Sequence, residues 1–176
     1  MSNKITIIGA GQVGSTVAYA LTLKQLASEI VIIDILKDKA MGEAMDIRQG
    51  TPFIGPVYIH DGDSEDAKDS DIVIFTSGVG RKPGQSRLDL TQTNVNIAKS
   101  VIPLITKVAP NALYLIVANP VDILTYLFVK TSGIPANHIF GTGTMLDTAR
   151  FRARIAETYR VGATNVHGYV FGEHGD

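Results

Sequence analysis

The chain has 176 residues, of which 45% are hydrophobic and 19% charged, a balance typical of a soluble globular protein with a sizeable core. Its formal net charge of −1 provides no basic surface for nucleic acid or for an anionic membrane, so neither partner is predicted. It contains no cysteine, which excludes disulfides and thiolate chemistry and fits a cytoplasmic location.

Short apolar runs alternate with helical stretches along the chain. Seven strands are predicted, at Lys4–Ile8, Ile30–Asp34, Val57–His60, Ile72–Thr76, Leu113–Ala118, His138–Gly141 and Val166–Val170. Five helices are predicted between them, at Val13–Leu26, Lys37–Arg48, Leu88–Val108, Asp122–Thr131 and Leu146–Tyr159, with a kink or break at Pro103. Continuous Val, Ile and Leu runs are typical of parallel strands buried on both faces. The order predicts an α/β fold with a doubly wound parallel sheet.

The first predicted strand leads into a glycine-rich segment, Gly9-Ala10-Gly11-Gln12-Val13-Gly14, that opens the first predicted helix. The three glycines allow a tight turn, close approach of a pyrophosphate, and close packing of helix on strand. About twenty residues further on, Asp34 ends the second strand, where it would bind ribose hydroxyls and repel a 2′-phosphate. This pattern predicts a Rossmann site for NAD rather than NADP. The predicted contacts in this segment are Gly9, Gly11, Gln12, Val13, Gly14 and Asp34.

Polar residues near the later strand ends indicate chemistry, because ligands of such sheets bind beyond the carboxyl ends of the strands. Asn119 ends the fifth predicted strand, and His174 follows the last one. Asp147 and Arg150 lie three residues apart and therefore share one face of a helix. These side chains suit hydride transfer between NAD and a 2-hydroxy acid. The imidazole would exchange a proton with the substrate hydroxyl, the aspartate carboxylate would fix the imidazole tautomer, and the arginine would bind the substrate carboxylate.

Five segments also resemble the motifs of one family, in the same order: GAGQVG, KPGQSRLDL, VANPVD, GTGTMLDTARFR and GEHGD. They are similar to those in the N-terminal part of the L-lactate/malate dehydrogenases, and most similar to the bacterial L-lactate enzymes. The resemblance covers the whole chain. It implies an NAD-binding Rossmann domain over residues 1–142 and the beginning of a substrate domain over 143–176, with the remainder absent.

The resemblance also implies individual roles. His174 would be the catalytic acid/base and Asp147 its orienting partner, while Arg150 would hold the substrate carboxylate. Arg87 would polarise the substrate carbonyl, and Asn119 would contact both substrate and nicotinamide. Further cofactor contacts would come from Gly78 and Val117.

Arg81 bears on the choice of substrate, because it occupies the position that meets the variable end of the substrate in this family. Malate enzymes carry arginine there, which suits the second carboxylate of oxaloacetate, whereas lactate enzymes usually carry glutamine. The segments GEHGD and GTGTMLDTARFR resemble lactate enzymes more closely, and SRLDL lacks the extra acid common in the malate form. Reduction of pyruvate to L-lactate is therefore the favoured function, with malate dehydrogenase as the first alternative and a bulkier 2-hydroxy acid as the second.

Arg152 and His167 match positions that bind fructose bisphosphate in allosteric bacterial lactate dehydrogenases; the alternative is a surface arginine and an unrelated histidine. The family further implies a homotetramer, and no metal site is predicted. Two other classes of function stay open. One is a non-catalytic module that only binds NAD. The other is a hydrolase built on His174 and Asp147, although no serine or cysteine elbow supports it.

Overall fold

The structure is a computed structural model that describes residues 3–80, 84 and 86–174, without the side chain of Arg87. The described residues form six strands: β1 (Lys4–Ile8), β2 (Glu29–Ile33), β3 (Tyr58–Asp61), β4 (Ile72–Phe75), β5 (Leu113–Ile116) and β6 (Ile139–Gly141). They also form five α-helices: α1 (Gln12–Leu23), α2 (Lys37–Ile54), α3 (Arg87–Val108), α4 (Val121–Thr131) and α5 (Gly143–Tyr159).

The strands build one parallel sheet in the order β3-β2-β1-β4-β5-β6. The chain runs outward from β1 to β3, then crosses back to place β4 on the other side of β1. The predicted doubly wound Rossmann fold is thereby confirmed. The reversal between β1 and β4 makes the loops that follow these two strands diverge, which opens a crevice at the carboxyl edge of the sheet.

Two hydrophobic cores lie on opposite faces of the sheet. On one face, Ile7 and Ile32 pack with Ala18 of α1 and Ala44 of α2. Small alanines let these helices approach the β-branched side chains of the strands. Because burial of each large apolar side chain contributes about 1.5–3 kcal/mol, this layer holds the glycine-rich loop between β1 and α1 on a rigid base.

The core on the other face is built from larger side chains. Phe75 of β4 and Phe128 of α4 meet edge to face, with ring centroids 5.1 Å apart. Tyr114 of β5 lies beside them, and its hydroxyl donates to the carbonyl of Ala109 at 2.8 Å. Burial raises the pKa of the Tyr114 phenol, so the ring stays neutral in the core. This layer fixes α3 and α4 beneath the ends of β4 and β5.

The prediction of a seventh strand is wrong. Val166–Val170 forms no strand; a 3₁₀ turn at Ala163–Asn165 precedes it, and no strand among the described residues pairs with it. Instead, the Val170 N–H donates to Thr148 Oγ1 on α5 at 2.9 Å. A β-rich composition makes a strand only where a neighbouring strand supplies hydrogen bonds.

The sequence predicts a kink or a break at Pro103; α3 runs continuously from Arg87 to Val108, so no break forms there. Ile102 and Ile105 flank this proline and are buried in the core, which offsets the lost backbone hydrogen bond. Likewise, α2 continues beyond the predicted end at Arg48 and includes Pro52. Among the helices that the structure describes, none is both long enough and apolar enough to cross a membrane.

Candidate functional site

The glycine-rich loop between β1 and α1 has a geometry that requires glycine at two positions. Gly9 has φ of +110°, and a Cβ there would lie 2.9 Å from Thr76 Oγ1. A Cβ at Gly14 would overlap the carbonyl oxygen of Gly9. By contrast, a Cβ at Gly11 would meet no atom within 4 Å, so this residue faces open space at the start of α1. The loop therefore leaves the free N–H groups of α1 accessible to an anion.

Asp34 follows β2 and is tied to this loop. Its Oδ2 accepts a 2.6 Å hydrogen bond from the Ala10 N–H, and its Oδ1 accepts a 2.9 Å bond from the Leu36 N–H. Each carboxylate oxygen keeps a second lone pair, so Asp34 can still accept hydrogen bonds from ribose hydroxyls. An anion-accepting helix end and a carboxylate on opposite sides of one turn fit a dinucleotide. Gln12 and Val13 begin α1 beside them, and both are exposed.

Two adjoining clefts lie at the carboxyl edge of the sheet, and Val117 and Asn119 line both. The first, of about 290 Å³, is further lined by Val13 and Gly78, two of the predicted cofactor contacts. The second, of about 410 Å³, is further lined by residues that include His174. The fold thus places the predicted cofactor contacts next to the predicted acid/base, with Asn119 between them.

His174 is held against α5 in the larger cleft. Its Nδ1 lies 2.6 Å from Oδ2 of Asp147, and its side chain is 20% exposed. The carboxylate can only accept, so we assign the Nδ1 proton to the imidazole, and Nε2 is left for a substrate. The structure therefore brings together the histidine and the aspartate that the sequence singled out, although they are distant along the chain.

Two neighbours of His174 escaped the sequence analysis. Asp122 Oδ2 accepts a 2.7 Å hydrogen bond from the backbone N–H of His174. At Gly143, an added Cβ would overlap the Cβ of His174 and lie 2.6 Å from its Cγ. Asp122 belongs to the VANPVD segment, but a carboxylate in the first turn of a helix gives no hint in the sequence of a backbone partner 52 positions away. The glycine likewise gives no signal of what packs on it.

Asn94 of α3 also escaped notice, because its neighbours are close in space but not in sequence. Its side chain is 2% exposed. Its Oδ1 accepts from the Val79 N–H at 2.9 Å, and its Nδ2 donates to the Asn119 carbonyl at 2.8 Å and to the Val79 carbonyl at 3.3 Å. This one amide therefore joins the segments that follow β4 and β5, which form the wall shared by the two clefts.

The structure shows less about the arginines predicted to bind the substrate or an effector. Arg150 is 66% exposed, and its Nη1 lies 3.4 Å from Asp147 Oδ1, so it reaches the carboxylate that also holds His174. Arg81 lies outside the described residues, as does the side chain of Arg87, the first residue of α3. Arg152 donates to the Ala163 carbonyl at 3.2 Å and has a buried Nε without a partner, while His167 is exposed.

Comparison with protein-family models matches residues 3–141 to the NAD-binding domain of lactate/malate dehydrogenases. Among curated proteins, L-lactate dehydrogenase of Clostridium perfringens (strain SM101 / Type A) is 55% identical over 175 residues, covering 99% of this chain and 55% of the relative. L-lactate dehydrogenase of Thermoanaerobacter pseudethanolicus is 52% identical over 174 residues, covering 99% of this chain and 56% of the relative. The chain thus spans about half the length of the curated relatives it matches.

Solved structures of the same family superpose on this chain over almost its whole length. Minor L-lactate dehydrogenase from Enterococcus mundtii superposes with a TM-score of 0.95 at 44% identity, over 99% of this chain and 56% of that one. Malate dehydrogenase from Picrophilus torridus superposes with a TM-score of 0.93 at 39% identity, covering 99% of this chain and 56% of that one. The backbone similarity therefore extends to both substrate types and does not distinguish them.

Proposed function

Because the chain belongs to the lactate/malate dehydrogenase family, we propose that it is the N-terminal part of an NAD-dependent enzyme that reduces a 2-keto acid to an L-2-hydroxy acid. The observation that supports this most is the His174–Asp147 pair at 2.6 Å, in a cleft that shares Val117 and Asn119 with the neighbouring cleft. In this division of the chain, residues 1–142 bind the cofactor and residues 143–176 begin the substrate domain.

NAD is the cofactor of this family, and the residues of this chain fit it. Gly9, Gly11 and Gly14 shape the loop for the pyrophosphate, with Gln12 and Val13 at the helix start. Asp34 would accept the ribose hydroxyls of the adenosine. Gly78, Val117 and Asn119 would line the nicotinamide side. Bound NADH supplies the hydride that reduces the carbonyl carbon.

His174 would supply the proton. In its doubly protonated form, the imidazole keeps one proton on Nδ1 against Asp147 and gives the other, on Nε2, to the substrate oxygen. Asp147 accepts from Nδ1 and thereby fixes the tautomer and the orientation of the ring. In the reverse direction, neutral His174 accepts the hydroxyl proton. Such positioned acid–base catalysis contributes on the order of 10²–10⁴ in rate.

The arginines and Asn119 would hold the substrate. Arg150 would grip its carboxylate with two parallel hydrogen bonds, a geometry that a guanidinium matches well. In the structure it contacts Asp147 with a largely exposed side chain, so a substrate carboxylate would compete with a weak pairing. Arg87 would polarise the keto oxygen.

Pyruvate is the substrate we favour, because the relatives of about 50–55% identity are named L-lactate dehydrogenases. Oxaloacetate is the alternative, supported by Arg81 and by the similarity to a malate dehydrogenase structure. The test is NADH oxidation by the full-length gene product with each keto acid. A His174→Asn variant that binds NADH normally serves as the control for catalysis. NADH binding without turnover of either acid would instead support the non-catalytic NAD-binding module.

Regulation is a finer part of the proposal. Arg152 and His167 would bind a phosphate of fructose bisphosphate, and the full-length protein would be a homotetramer. The test is the pyruvate KM with and without fructose bisphosphate, compared between the wild type and Arg152→Gln; the molar mass is measured in parallel by light scattering.

A further inference from the structure

His174 is fixed at two separate points in the described structure. Its ring is bonded to Asp147 on α5, while its backbone N–H donates to Asp122 Oδ2 on α4 at 2.7 Å. The second bond spans 52 positions of sequence and joins the segment after α5 to the first turn of α4. The side-chain anchor alone would leave the backbone of this segment free to shift.

The residues around Asp122 and His174 restrict where the imidazole can lie. Asp122 lies in the first turn of α4, two residues after Pro120 and three after Asn119. There its Oδ2 accepts from the His174 N–H at the N-terminal end of the helix. Gly143 packs against His174 with no room for a Cβ, so the imidazole sits in a slot between α4 and α5. Asp122 therefore holds the backbone of a residue that lines the same cleft as Asn119.

We propose that Asp122 is a positioning residue of the dehydrogenase, which holds the backbone of His174 so that its Nε2 faces the substrate. The inference rests on the proposed function, because it assigns the acid/base role to His174. The essential property is the acceptor oxygen, not the negative charge. A displacement of about 1 Å at a reacting group costs on the order of a hundredfold in rate, which sets the scale of the expected effect.

The experiment compares Asp122→Ala and Asp122→Asn with the wild type in the full-length gene product. Asn retains an acceptor oxygen but no charge, whereas Ala removes both. Asp38→Ala is the matched control, since Asp38 occupies the same position in the first turn of α2 and lines neither of the two clefts. For each protein, the NADH dissociation constant, kcat, KM for pyruvate and oxaloacetate, and the pH profile of kcat/KM are measured. Hydrogen–deuterium exchange of the peptide containing His174 monitors the hydrogen bond from the His174 backbone N–H to Asp122.

We expect Asp122→Ala to lower kcat by roughly ten- to a hundredfold with an unchanged NADH dissociation constant. Asp122→Asn should recover most of this loss, and the midpoint of the pH profile should stay in place. Exchange of the His174 amide should increase in Asp122→Ala and stay slow in Asp38→Ala. Equal losses of kcat in the Ala and Asn variants, with a shifted pH midpoint, would overturn the proposal in favour of an electrostatic role.

Two other outcomes would also overturn it: wild-type kcat in Asp122→Ala, or an equal loss in Asp38→Ala. Failure of the proposed function is distinguishable, because the wild type would then reduce neither keto acid. The exchange measurement would in that case still decide whether Asp122 anchors the His174 backbone.

Discussion

At the scale of single residues, the site depends on groups that each satisfy more than one neighbour. Asp34 accepts from the backbone of Ala10 and of Leu36, so it orders the glycine loop as well as offering lone pairs to a ribose. Asp147 holds both His174 and Arg150. Substitutions at such residues change local order and ligand contacts together, so the informative variants are those that separate the two effects.

The cofactor prediction uses this separation at Asp34. The wild-type protein should bind NADH much more tightly than NADPH, because the carboxylate repels a 2′-phosphate. Asp34→Asn keeps an acceptor oxygen for Ala10 and removes the charge, so it should narrow the difference by roughly tenfold, or about 1.4 kcal/mol. Asp34→Ala should also narrow the difference in affinity between NADH and NADPH, but it should weaken the binding of both cofactors. Calorimetry measures the two constants, and equal affinities in the wild type would show that the ribose assignment is incorrect.

A second prediction at this scale concerns Arg81, a cationic side chain at the substrate-specificity position of the family. Changing Arg81 to Gln in the full-length gene product should lower kcat/KM for oxaloacetate far more than for pyruvate, because only oxaloacetate offers a second carboxylate. Steady-state kinetics with both acids give the ratio. Arg81→Lys keeps the charge without the planar fork and serves as the comparison. An unchanged ratio in Arg81→Gln would place this residue outside the substrate pocket.

At the scale of elements, the side chain of Asn94 connects the segments after β4 and β5, which form the wall shared by the two clefts. Replacing Asn94 with Leu preserves the volume but removes the buried amide that pairs with the Val79 N–H and with the Asn119 carbonyl. The net contribution of one such hydrogen bond is about 0.5–1.5 kcal/mol, so loss of both should lower the free energy of unfolding by roughly 1–3 kcal/mol. Gln92→Leu is the matched control, because Gln92 lies on an exposed part of the same helix and bonds only Asn96 among the described residues.

Urea unfolding of both variants measures this difference, with the control expected within about 0.5 kcal/mol of the wild type. Equal stabilities for Asn94→Leu and Gln92→Leu would contradict the role given to Asn94.

The elements also show why sequence predicts some features and misses others. β1, β2 and the glycine loop follow from local rules: continuous apolar runs, a positive φ at Gly9, and the close packing at Gly14. The absent strand at Val166–Val170 does not, because pairing depends on neighbours that composition does not reveal. Asn94 and Asp122 act on backbone groups 15 to 52 positions away, and a backbone partner leaves no mark in the sequence. The motifs therefore predicted the His174–Asp147 pair that the structure brings together, while the contacts of Asn94 and Asp122 required the fold.

At the scale of the whole molecule, the proposed cofactor site and the proposed acid/base lie on parts of the chain that are held in different ways. The glycine loop and Asp34 rest on the sheet and its two cores. His174 instead follows a segment in which Tyr169 is 79% and Phe171 90% exposed. Large aromatic side chains in contact with water contribute little to holding the segment in place. The cleft around His174 is correspondingly open to solvent, whereas hydride transfer benefits from the exclusion of water.

We therefore predict that residues 1–176 alone bind NADH but reduce pyruvate far more slowly than the full-length gene product. His174 has Asp147 behind it and Asn119 across the cleft, but solvent still reaches its imidazole, which is 20% exposed. Residual motion of about 1 Å would lower the rate on the order of a hundredfold, and incomplete exclusion of water would lower it further. NADH titration by fluorescence and pyruvate reduction are measured side by side in the two proteins. Similar turnover would contradict the prediction. A fragment that fails to bind NADH would contradict it as well, because the loss would then lie in the cofactor site and not in the placement of His174.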